Sequence, residues 1–436
     1  MKLEQFKSIL LTVLVLISII FFWSLVTFQK NYELVSNQDN VKEVKKINNI
    51  KKDVKELVIP NKIIYRNDKK SYHGVQNMNA ITPFMDEVRD FSFYGFQRGA
   101  NEFANKFDES PDSQVLIIEF PGDIPYELLK SMYTVESKEV PNGNFRYLII
   151  FPNDLKNDEG IVYFASTDLH SIVKANVWSS SFDNIKKLMQ SINGKGPSYY
   201  AYRKKSGGYL FVAKDEITIP DEQYYPRLYD EKIFVDTLLS NPDMVTINGN
   251  EYTDGSSLLK FQNDRQMLTL VDTTVTESPA SVYDMITTSI NYINGHGGWT
   301  DQYYYSGAYL SSKKISFQLY TNNYPVFNES GLNELALEVG NTKIHSYKRP
   351  YFRLDFISYN PTKQDIKLPS GTTVLNNMQK DGVDLETVDD VIIGYYMYRD
   401  NEKGVVKFQP SWFYKIGNSW IRFTERMTGG IKHGLE

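Results

Sequence analysis

An apolar run near the N-terminus constrains this chain more than any other feature. Residues 9–28 read ILLTVLVLISIIFFWSLVTF, twenty residues with no charge, proline or glycine, and fifteen of them are Leu, Ile, Val or Phe. At about 1.5 Å per residue, a helix of this length spans the roughly 30 Å hydrocarbon core of a bilayer. The run exceeds the apolar region of a signal peptide, about 7–15 residues, and no small-residue cleavage site follows it. We therefore predict an uncleaved, single-pass transmembrane helix at 9–28, after a short tail at 1–8.

The orientation of this span follows from the chain on either side of it. Lys2 and Lys7 against Glu4 favour a cytoplasmic N-terminus, but lysines also follow the span, so local charge alone does not decide. Long domains cross a membrane largely regardless of charge, and no second hydrophobic span follows. We predict a cell-membrane protein with its N-terminus in the cytoplasm, its tail at 1–8 cytoplasmic and its bulk outside.

The composition of the chain excludes several classes of structure and function. With 41% hydrophobic and 14% aromatic residues, the roughly 400 residues after the span can bury real cores. The chain has no cysteine, which rules out disulfides and thiolate metal sites. The net charge is −5 with no basic block in the folded part, which argues against nucleic-acid binding.

A lysine-rich stalk is predicted at residues 29–57. Apolar residues recur in it at steps of three and four, which favours one broad helical stripe with lysines on the far side. Such a helix suits a membrane surface or a partner's stalk, and a flexible linker is an equal alternative. The stripe, a candidate interface, comprises Val41, Val44, Ile47, Ile50 and Val54.

The remainder of the chain predicts an α+β fold built from antiparallel β-meanders, with helices packed on one face. Thr82-Pro83 resembles a helix start, and four further helices are predicted near 182–194, 229–239, 279–294 and 371–379, most with strands and tight turns after them. We predict three extracytoplasmic domains: an N-terminal α+β domain at 58–157, a central meander domain at 158–276 and a C-terminal meander domain at 277–436.

Motifs of catalysis are missing from the sequence. The five histidines form no H-x-H or H-E-x-x-H pair, and neither a G-x-S-x-G elbow nor a P-loop occurs. Asp389 and Asp390 are strand neighbours, so their side chains should point to opposite faces. We predict no catalytic residue, no cofactor and no metal site, and hence that the protein is not an enzyme.

One segment resembles a functional loop. In the run Asn294, Gly295, His296, Gly297, Gly298, a histidine among glycines is compatible with a catalytic or metal-binding loop. The structural interpretation is favoured, because no acid, nucleophile or second ligand is evident nearby. It makes Gly295 the left-handed cap of the preceding helix and Gly297-Gly298 the turn into the next strand.

Several motifs in the C-terminal part of the chain resemble those of the YycH family, and the length and single N-terminal span agree. The matching segments are Tyr292-Ile-Asn-Gly-His-Gly-Gly-Trp299, Asn323-Tyr-Pro-Val-Phe-Asn328, Val391-Ile-Ile-Gly-Tyr395, Pro410-Ser-Trp-Phe-Tyr414 and Gly434-Leu-Glu436. The resemblance implies an accessory protein of the WalK/WalR (YycG/YycF) two-component system, which controls cell-wall metabolism in low-GC Gram-positive bacteria. It also implies a YycI-like C-terminal domain, no catalytic residues, and transmembrane contacts with YycI and the sensor kinase.

Three functions remain as hypotheses. The first is a non-enzymatic regulator of a sensor histidine kinase, acting through its transmembrane helix, with a YycI-type protein and a homodimer as further partners. The second is an extracytoplasmic module that binds cell-wall fragments or a secreted partner in a groove lined by Trp299, Tyr303, Tyr304 and Tyr305. The third is a hydrolase that uses His296. For the first, the candidate contact residues are Thr12, Leu14, Ser18, Phe21, Trp23 and Ser24.

Overall fold

The computed structural model describes Ser18 and residues 46–67, 69–109, 114–357 and 364–424. Residues 45–436 form one compact unit and residues 1–44 a separate one, in which Ser18 is helical and exposed. No helix of the described ranges is long and apolar enough to cross a membrane. The span predicted at 9–28 lies outside the described residues except for Ser18 and therefore stays a prediction.

Helices are few among the described residues. They are α1 (Val54–Leu57), α2 (Met78–Val88), α3 (Ala100–Ala104), α4 (Leu129–Met132), α5 (Phe182–Lys195), α6 (Glu231–Leu238), α7 (Val282–His296) and α8 (Gly371–Lys380). A π-helical turn at Asn105–Glu109 follows α3, and short 3-10 turns cover Tyr126–Leu128, Pro152–Asp154, Pro242–Met244, Leu310–Ser312 and Leu385–Thr387.

Ten strands form the first sheet, in the order β10-β9-β2-β1-β4-β6-β7-β8-β3-β5. Every pairing in it is antiparallel except that of β3 with β5. Its strands are β1 (Lys62–Arg66), β2 (Tyr72–Val75), β3 (Ser92–Arg98), β4 (Val115–Pro125), β5 (Thr134–Val135), β6 (Asn144–Ile150), β7 (Glu159–Ala165), β8 (Ile172–Trp178), β9 (Ser198–Arg203) and β10 (Tyr209–Ala213).

The second half of the chain forms a larger sheet of fourteen strands, and β11 pairs with β23 beside it. Its main path runs β13-β14-β15-β16-β21-β20-β18-β19-β24-β25-β12-β22, with β17 on β18 and β26 on β25. Only β19 and β24 pair in parallel among these described strands. The strands are β11 (Ile217–Pro220), β12 (Glu222–Leu228), β13 (Thr246–Asn248), β14 (Glu251–Thr253), β15 (Ser257–Gln262), β16 (Met267–Asp272), β17 (Tyr303–Tyr309), β18 (Lys314–Thr321), β19 (Tyr324–Phe327), β20 (Glu334–Val339), β21 (Ile344–Pro350), β22 (Phe352–Ile357), β23 (Asp365–Leu368), β24 (Asp390–Asp400), β25 (Val405–Ile416) and β26 (Ser419–Arg422).

The mixed α+β class with mostly antiparallel sheets is confirmed. The helices predicted near 182–194, 229–239, 279–294 and 371–379 are found as α5, α6, α7 and α8. The start predicted at Thr82-Pro83 is wrong, because α2 begins at Met78 and Pro83 lies inside it. The Asn77 side chain accepts the Ala80 N–H at 3.0 Å and caps the helix one turn earlier.

Domain boundaries do not coincide with the sheets. The first sheet uses residues 62–213, so β7 and β8 continue it past the boundary predicted after residue 157. Strand β16, before the boundary predicted after residue 276, pairs with β21 beyond it. The division into three domains stays a prediction.

Candidate functional site

The loop after α7 is held in place by how that helix ends. α7 begins at Ser281, whose Oγ accepts the Asp284 N–H at 3.1 Å, and continues through His296. Gly297 then adopts a left-handed conformation with φ of 68°, and its N–H donates to the Ile293 carbonyl. The prediction that Gly295 caps the helix is wrong. The helix continues two residues further and buries His296 on the same helix face as Ser289 and Ile293. It then ends at Gly297, a residue that adopts the left-handed conformation without strain.

The stalk meets this loop directly. The Ile47 N–H donates to the His296 carbonyl at 3.0 Å, and the Asn48 side-chain amide donates to the Trp299 carbonyl at 2.9 Å. Asn48 and Trp299 are 251 residues apart in sequence. The stalk segment at 46–53 therefore crosses the loop 294–299, and we call this contact the stalk junction.

The helical stripe predicted in the stalk is wrong over the junction. Residues 46–53 are not helical, and α1 begins only at Val54. Ile47 is buried and Val54 packs on the core, whereas Ile50 is 49% exposed, so the three do not share one face. The backbone N–H groups of Ile47 and Lys52 donate to the loop instead of to carbonyls four residues back, which excludes a helix here. Val41 and Val44 lie outside the described residues.

Asn294 lies at the centre of the stalk junction. Its Oδ1 accepts the Lys52 N–H and its Nδ2 donates to the Lys52 carbonyl, both at 2.9 Å. The Trp299 indole N–H donates to the same Oδ1 at 2.7 Å and fixes the amide's orientation. The Asn294 amide therefore pairs with Lys52 as a neighbouring β-strand would, and it satisfies both the N–H and the carbonyl of Lys52.

Gly297 lets the stalk come close. A Cβ at this position would overlap the Asn48 carbonyl oxygen, and the left-handed backbone itself disfavours other residues. Gly298 is crowded on the opposite side, where a Cβ would lie 2.5 Å from His296 Nε2 and 3.1 Å from Arg349 Nη1. The two glycines therefore serve different contacts, one with the stalk and one with the core.

The Lys52 side chain adds cation–π contacts to the stalk junction. Its ammonium lies 5.8 Å from the centroid of the Trp299 ring and 5.3 Å from that of Tyr304. Burial lowers the pKa of Lys52, against opposing contributions from Glu56 and Asp301. A cation held over two aromatic faces adds attraction to the hydrogen bonds on the backbone.

Arg349 supports the loop from beneath. It is fully buried on β21, and its Nη1 donates to the Gly298 carbonyl and its Nη2 to Thr300 Oγ1, both at 2.8 Å. Its Nε donates to the Pro350 carbonyl at 2.9 Å. These bonds hold the segment after Gly297 in one conformation, so the loop that the stalk contacts is rigid.

His296 belongs to this support. Burial, and then the nearby Arg349, lower the pKa of His296 to about 3, so the imidazole is neutral at physiological pH. Its Nδ1 lies 2.7 Å from the Tyr292 carbonyl, which makes Nδ1 the protonated nitrogen and leaves Nε2 to face the Tyr347 hydroxyl at 3.4 Å. The neutral ring packs between Tyr292 and Tyr347 and supports the loop.

Other candidate residues fall elsewhere. Trp299, Tyr303 and Tyr305 are buried and Tyr304 lies under Lys52, so the open aromatic groove predicted there is wrong. Among the residues that the structure describes, no group of His, Cys, Asp or Glu is arranged to hold a metal ion. Asp389 and Asp390 do face opposite ways, Asp389 to the exposed Gly417 N–H and Asp390 into the interior. Thr12, Leu14, Phe21, Trp23 and Ser24 lie outside the described residues.

Sequence reasoning missed four residues of the junction: Asn48, Lys52, Thr300 and Arg349. The pair Asn48-Asn49 carried a usable signal, because asparagine is a poor helix former and weakens the predicted stripe at that point. Arg349 and Thr300 give no comparable signal, since a single arginine before a proline predicts no particular partner.

Two family models match this chain, "YycH protein, N-terminal domain" over residues 4–194 and "YycH protein, C-terminal domain" over residues 208–428. A curated relative, the two-component system WalR/WalK regulatory protein YycH of Bacillus subtilis (strain 168), is 23% identical over 465 residues and is covered along 100% of both chains. The crystal structure of YycH from Bacillus subtilis superposes with a TM-score of 0.74 at 18% identity, covering 87% of this chain and 99% of that one. At this identity the superposition shows a shared fold.

Proposed function

Because the two matching models together span most of its length, this chain belongs to the YycH family, and we propose that it regulates a WalK/YycG-type sensor histidine kinase that controls cell-wall metabolism. The similarity along the whole chain to a protein named as a WalR/WalK regulator carries this proposal. The protein acts without catalysis, in the cell membrane with its bulk outside, alongside a YycI-type accessory protein.

The transmembrane helix is the proposed effector. Helices in lipid associate through close packing and side-chain hydrogen bonds, so Thr12, Ser18 and Ser24 are candidate contacts. In a helix, at about 100° per residue, these three positions would point in different directions, which would allow two partners on different sides. In the predicted span, Phe21 and Trp23 would fall near the outer end, where aromatic side chains anchor a helix at the membrane interface.

The stalk junction supports this mechanism, because it attaches the C-terminal end of the predicted stalk to the folded core. Four hydrogen bonds join residues 47–52 to the loop 294–299. With such a fixed point, a change in the core biases the anchor, and a coupling of about 1–3 kcal/mol changes kinase output about 5- to 150-fold.

The test compares three proteins in a strain that lacks the native gene: the full chain, residues 1–35 alone, and the full chain with Asn294→Ala. Output is read from a reporter gene under control of the response regulator. We expect residues 1–35 to restore part of the output, because they carry the helix contacts. Asn294→Ala should shift output away from wild type at equal protein level, because the core then no longer constrains the stalk.

Two results would count against the proposal. If residues 1–35 insert in the membrane and leave the output unchanged, the effector is not the helix. If Asn294→Ala behaves as wild type while hydrogen exchange shows the stalk released, the junction does not transmit the regulation.

A further inference from the structure

An exposed aromatic pair lies on the first sheet, far in sequence from the stalk junction. The pairing register places Trp178 beside Glu159 and the next row, Tyr94–Asn176–Ile161, on the same face of β3, β8 and β7. Trp178 is 40% exposed and stacks on Tyr94 with ring centroids 6.0 Å apart and an angle of 22° between the planes. Large exposed aromatic faces are unfavourable in water, so a stacked pair on an otherwise polar surface indicates a binding surface.

A loop turns this surface into a pocket. The 3-10 turn at Pro152–Asp154 and the residues up to Glu159 form one wall, and Asn157 adopts a left-handed conformation with φ of 52°. The pocket is a cleft open to solvent, and its volume of about 650 Å³ lies within the range of about 300–1,000 Å³ typical of small-molecule sites. Both residues of the stacked pair, Tyr94 and Trp178, belong to the lining of this pocket.

Polar groups line the pocket around the rings. Asn153, Asn157 and Asn176 bring side-chain amides, and Asp158 and Glu159 bring carboxylates. Within the described part of the chain, these three amides make no side-chain hydrogen bond, so they are available to a ligand. Amides both donate and accept and carboxylates accept, which matches the donor and acceptor capacity of hydroxyl groups.

The backbone beside Tyr94 is adapted to this arrangement. The register of β3 against β8 shifts between Tyr94 and Gln97, and Gly95 adopts φ of 62°. A Cβ at residue 95 would lie 2.7 Å from Asn176 Nδ2, so the glycine leaves room for that amide. Bulges of this kind occur next to functional sites, where they re-aim a side chain.

We propose that the pocket beside Trp178 binds a glycan, with one sugar ring lying against the exposed Trp178 ring and its hydroxyls bonded to the amides and carboxylates of the wall. A pyranose has an apolar face of C–H groups and a polar edge of hydroxyls, which fits an aromatic ring bordered by amides and carboxylates. Glycan binding here is separate from kinase regulation, and either can fail while the other holds.

Charge selects among glycans. Asp158 and Glu159 line the pocket together with one ammonium, that of Lys156, whereas Asp154 is paired with Lys106, so the lining carries a net negative charge. This charge disfavours polyanionic ligands and favours a neutral or amino-bearing sugar. A protein partner fits less well, because a specific protein interface buries about 800 Å² per partner around a largely apolar centre.

The test is calorimetric titration of the full chain in lipid nanodiscs, which avoids detergents with sugar headgroups. The probes are linear β-1,4-linked hexamers of glucose and of N-acetylglucosamine. We expect saturable binding of at least one probe, weakened at least tenfold by Trp178→Ala. Tyr225→Ala is the control, because Tyr225 is 52% exposed on β12, outside the pocket, and its removal should leave the affinity unchanged.

Binding that is lost in Trp178→Ala and kept in Tyr225→Ala, with equal melting temperatures for the two variants, supports the glycan site. The absence of saturable heat with both hexamers overturns it, as does equal affinity in Trp178→Ala and wild type. If neither hexamer binds but Trp178→Ala alters the reporter output of the cells, the surface serves a protein partner and the glycan assignment is wrong. Loss of glycan binding with unchanged reporter output would leave the regulatory function intact.

Discussion

At the scale of single residues, His296 shows how a motif that resembles chemistry serves packing. Its ring is 5% exposed, neutral, and placed between two tyrosines and a buried arginine. Burial of an ionisable side chain with a strongly shifted pKa is common at active sites, but here Tyr292 and Tyr347 pack against the ring. The shift instead makes the stability of the fold depend on pH.

The first residue-scale prediction concerns that dependence. The pKa of His296 is lowered to about 3 in the fold, so below the ordinary value of about 6.5 the unfolded chain takes up a proton that the folded chain does not. Stability is therefore lost as the pH falls below about 6.5, and at pH 5 the loss from this residue is about 2 kcal/mol.

Chemical denaturation of wild type and His296→Gln at pH 7.5 and pH 5 measures this effect. Wild type should lose about 2 kcal/mol more than the variant between the two values, because the glutamine does not titrate. Equal losses of unfolding free energy in both proteins would show that the pH dependence arises from other groups. His345→Gln is the matched control, since His345 is only partly buried and lies on β21 away from the loop.

At the scale of elements, the sequence predicts what depends on local periodicity. The four helices α5 to α8 were all expected, because each has a clear apolar face and three of them, α6, α7 and α8, have a side-chain cap at the start. Their ends were less predictable. Gly295 lies one residue before the end of α7 and is as plausible a cap as Gly297, and only the burial of His296 decides between them.

The stalk junction could not be predicted from the sequence for a different reason. The apolar spacing in the stalk favours a helix when it is considered alone, and the opposing contacts come from Asn294, His296 and Trp299, more than 240 residues away. Tertiary hydrogen bonds to the loop outweigh weak helix propensity in such a short polar segment. The motif itself was found, but its partner was not.

The element-scale prediction tests the junction with two neighbouring glycines. Gly297→Ala forces a methyl group against the Asn48 carbonyl, whereas Gly295→Ala meets no atom within 4 Å. The amide protons of Ile47 and Lys52 should exchange at least tenfold faster in Gly297→Ala, since the hydrogen bonds that protect them contribute about 1 kcal/mol or more each.

Hydrogen exchange read by mass spectrometry, with peptides covering 46–57, gives the measurement. Gly295→Ala should match wild type, and peptides from β24 and β25 should stay protected in both variants. Unchanged exchange at 46–57 in Gly297→Ala would contradict the role assigned to this glycine.

At the scale of the whole molecule, a buried ionic cluster joins the two halves of the chain. Lys62 on β1 donates to Asp390 on β24 at 2.7 Å, and Arg146 Nη2 lies 3.2 Å from Asp390 and 3.3 Å from Glu119. All four side chains are buried. Burial opposes ionisation of Asp390, but Lys62 and Arg146 outweigh it and hold its pKa below the usual range.

The whole-molecule prediction follows from that cluster. Asp390→Asn leaves the buried Lys62 and Arg146 with Glu119 as their only anionic partner in the cluster, which should destabilise the protein by about 3–5 kcal/mol. Asp389→Asn is the matched control. Asp389 accepts the exposed Gly417 N–H, so its loss should cost about 1 kcal/mol or less.

Urea denaturation followed by tyrosine and tryptophan fluorescence separates the two variants. A similar midpoint for Asp390→Asn and Asp389→Asn would show that the cluster is not what holds the halves together. A transition that splits into two steps in Asp390→Asn would show that the halves unfold separately once the cluster is weakened.

The stalk junction can form only late in the synthesis of the protein. Asn48 is synthesised early and Trp299, to which it bonds, 251 residues later, so the stalk has no receptor until most of the chain exists. At about 5–20 residues per second, this interval is on the order of 10–50 s. During that time residues 46–53 lack the contact that the completed fold provides. A chain that stops before the loop 294–299 would therefore lack the stalk junction.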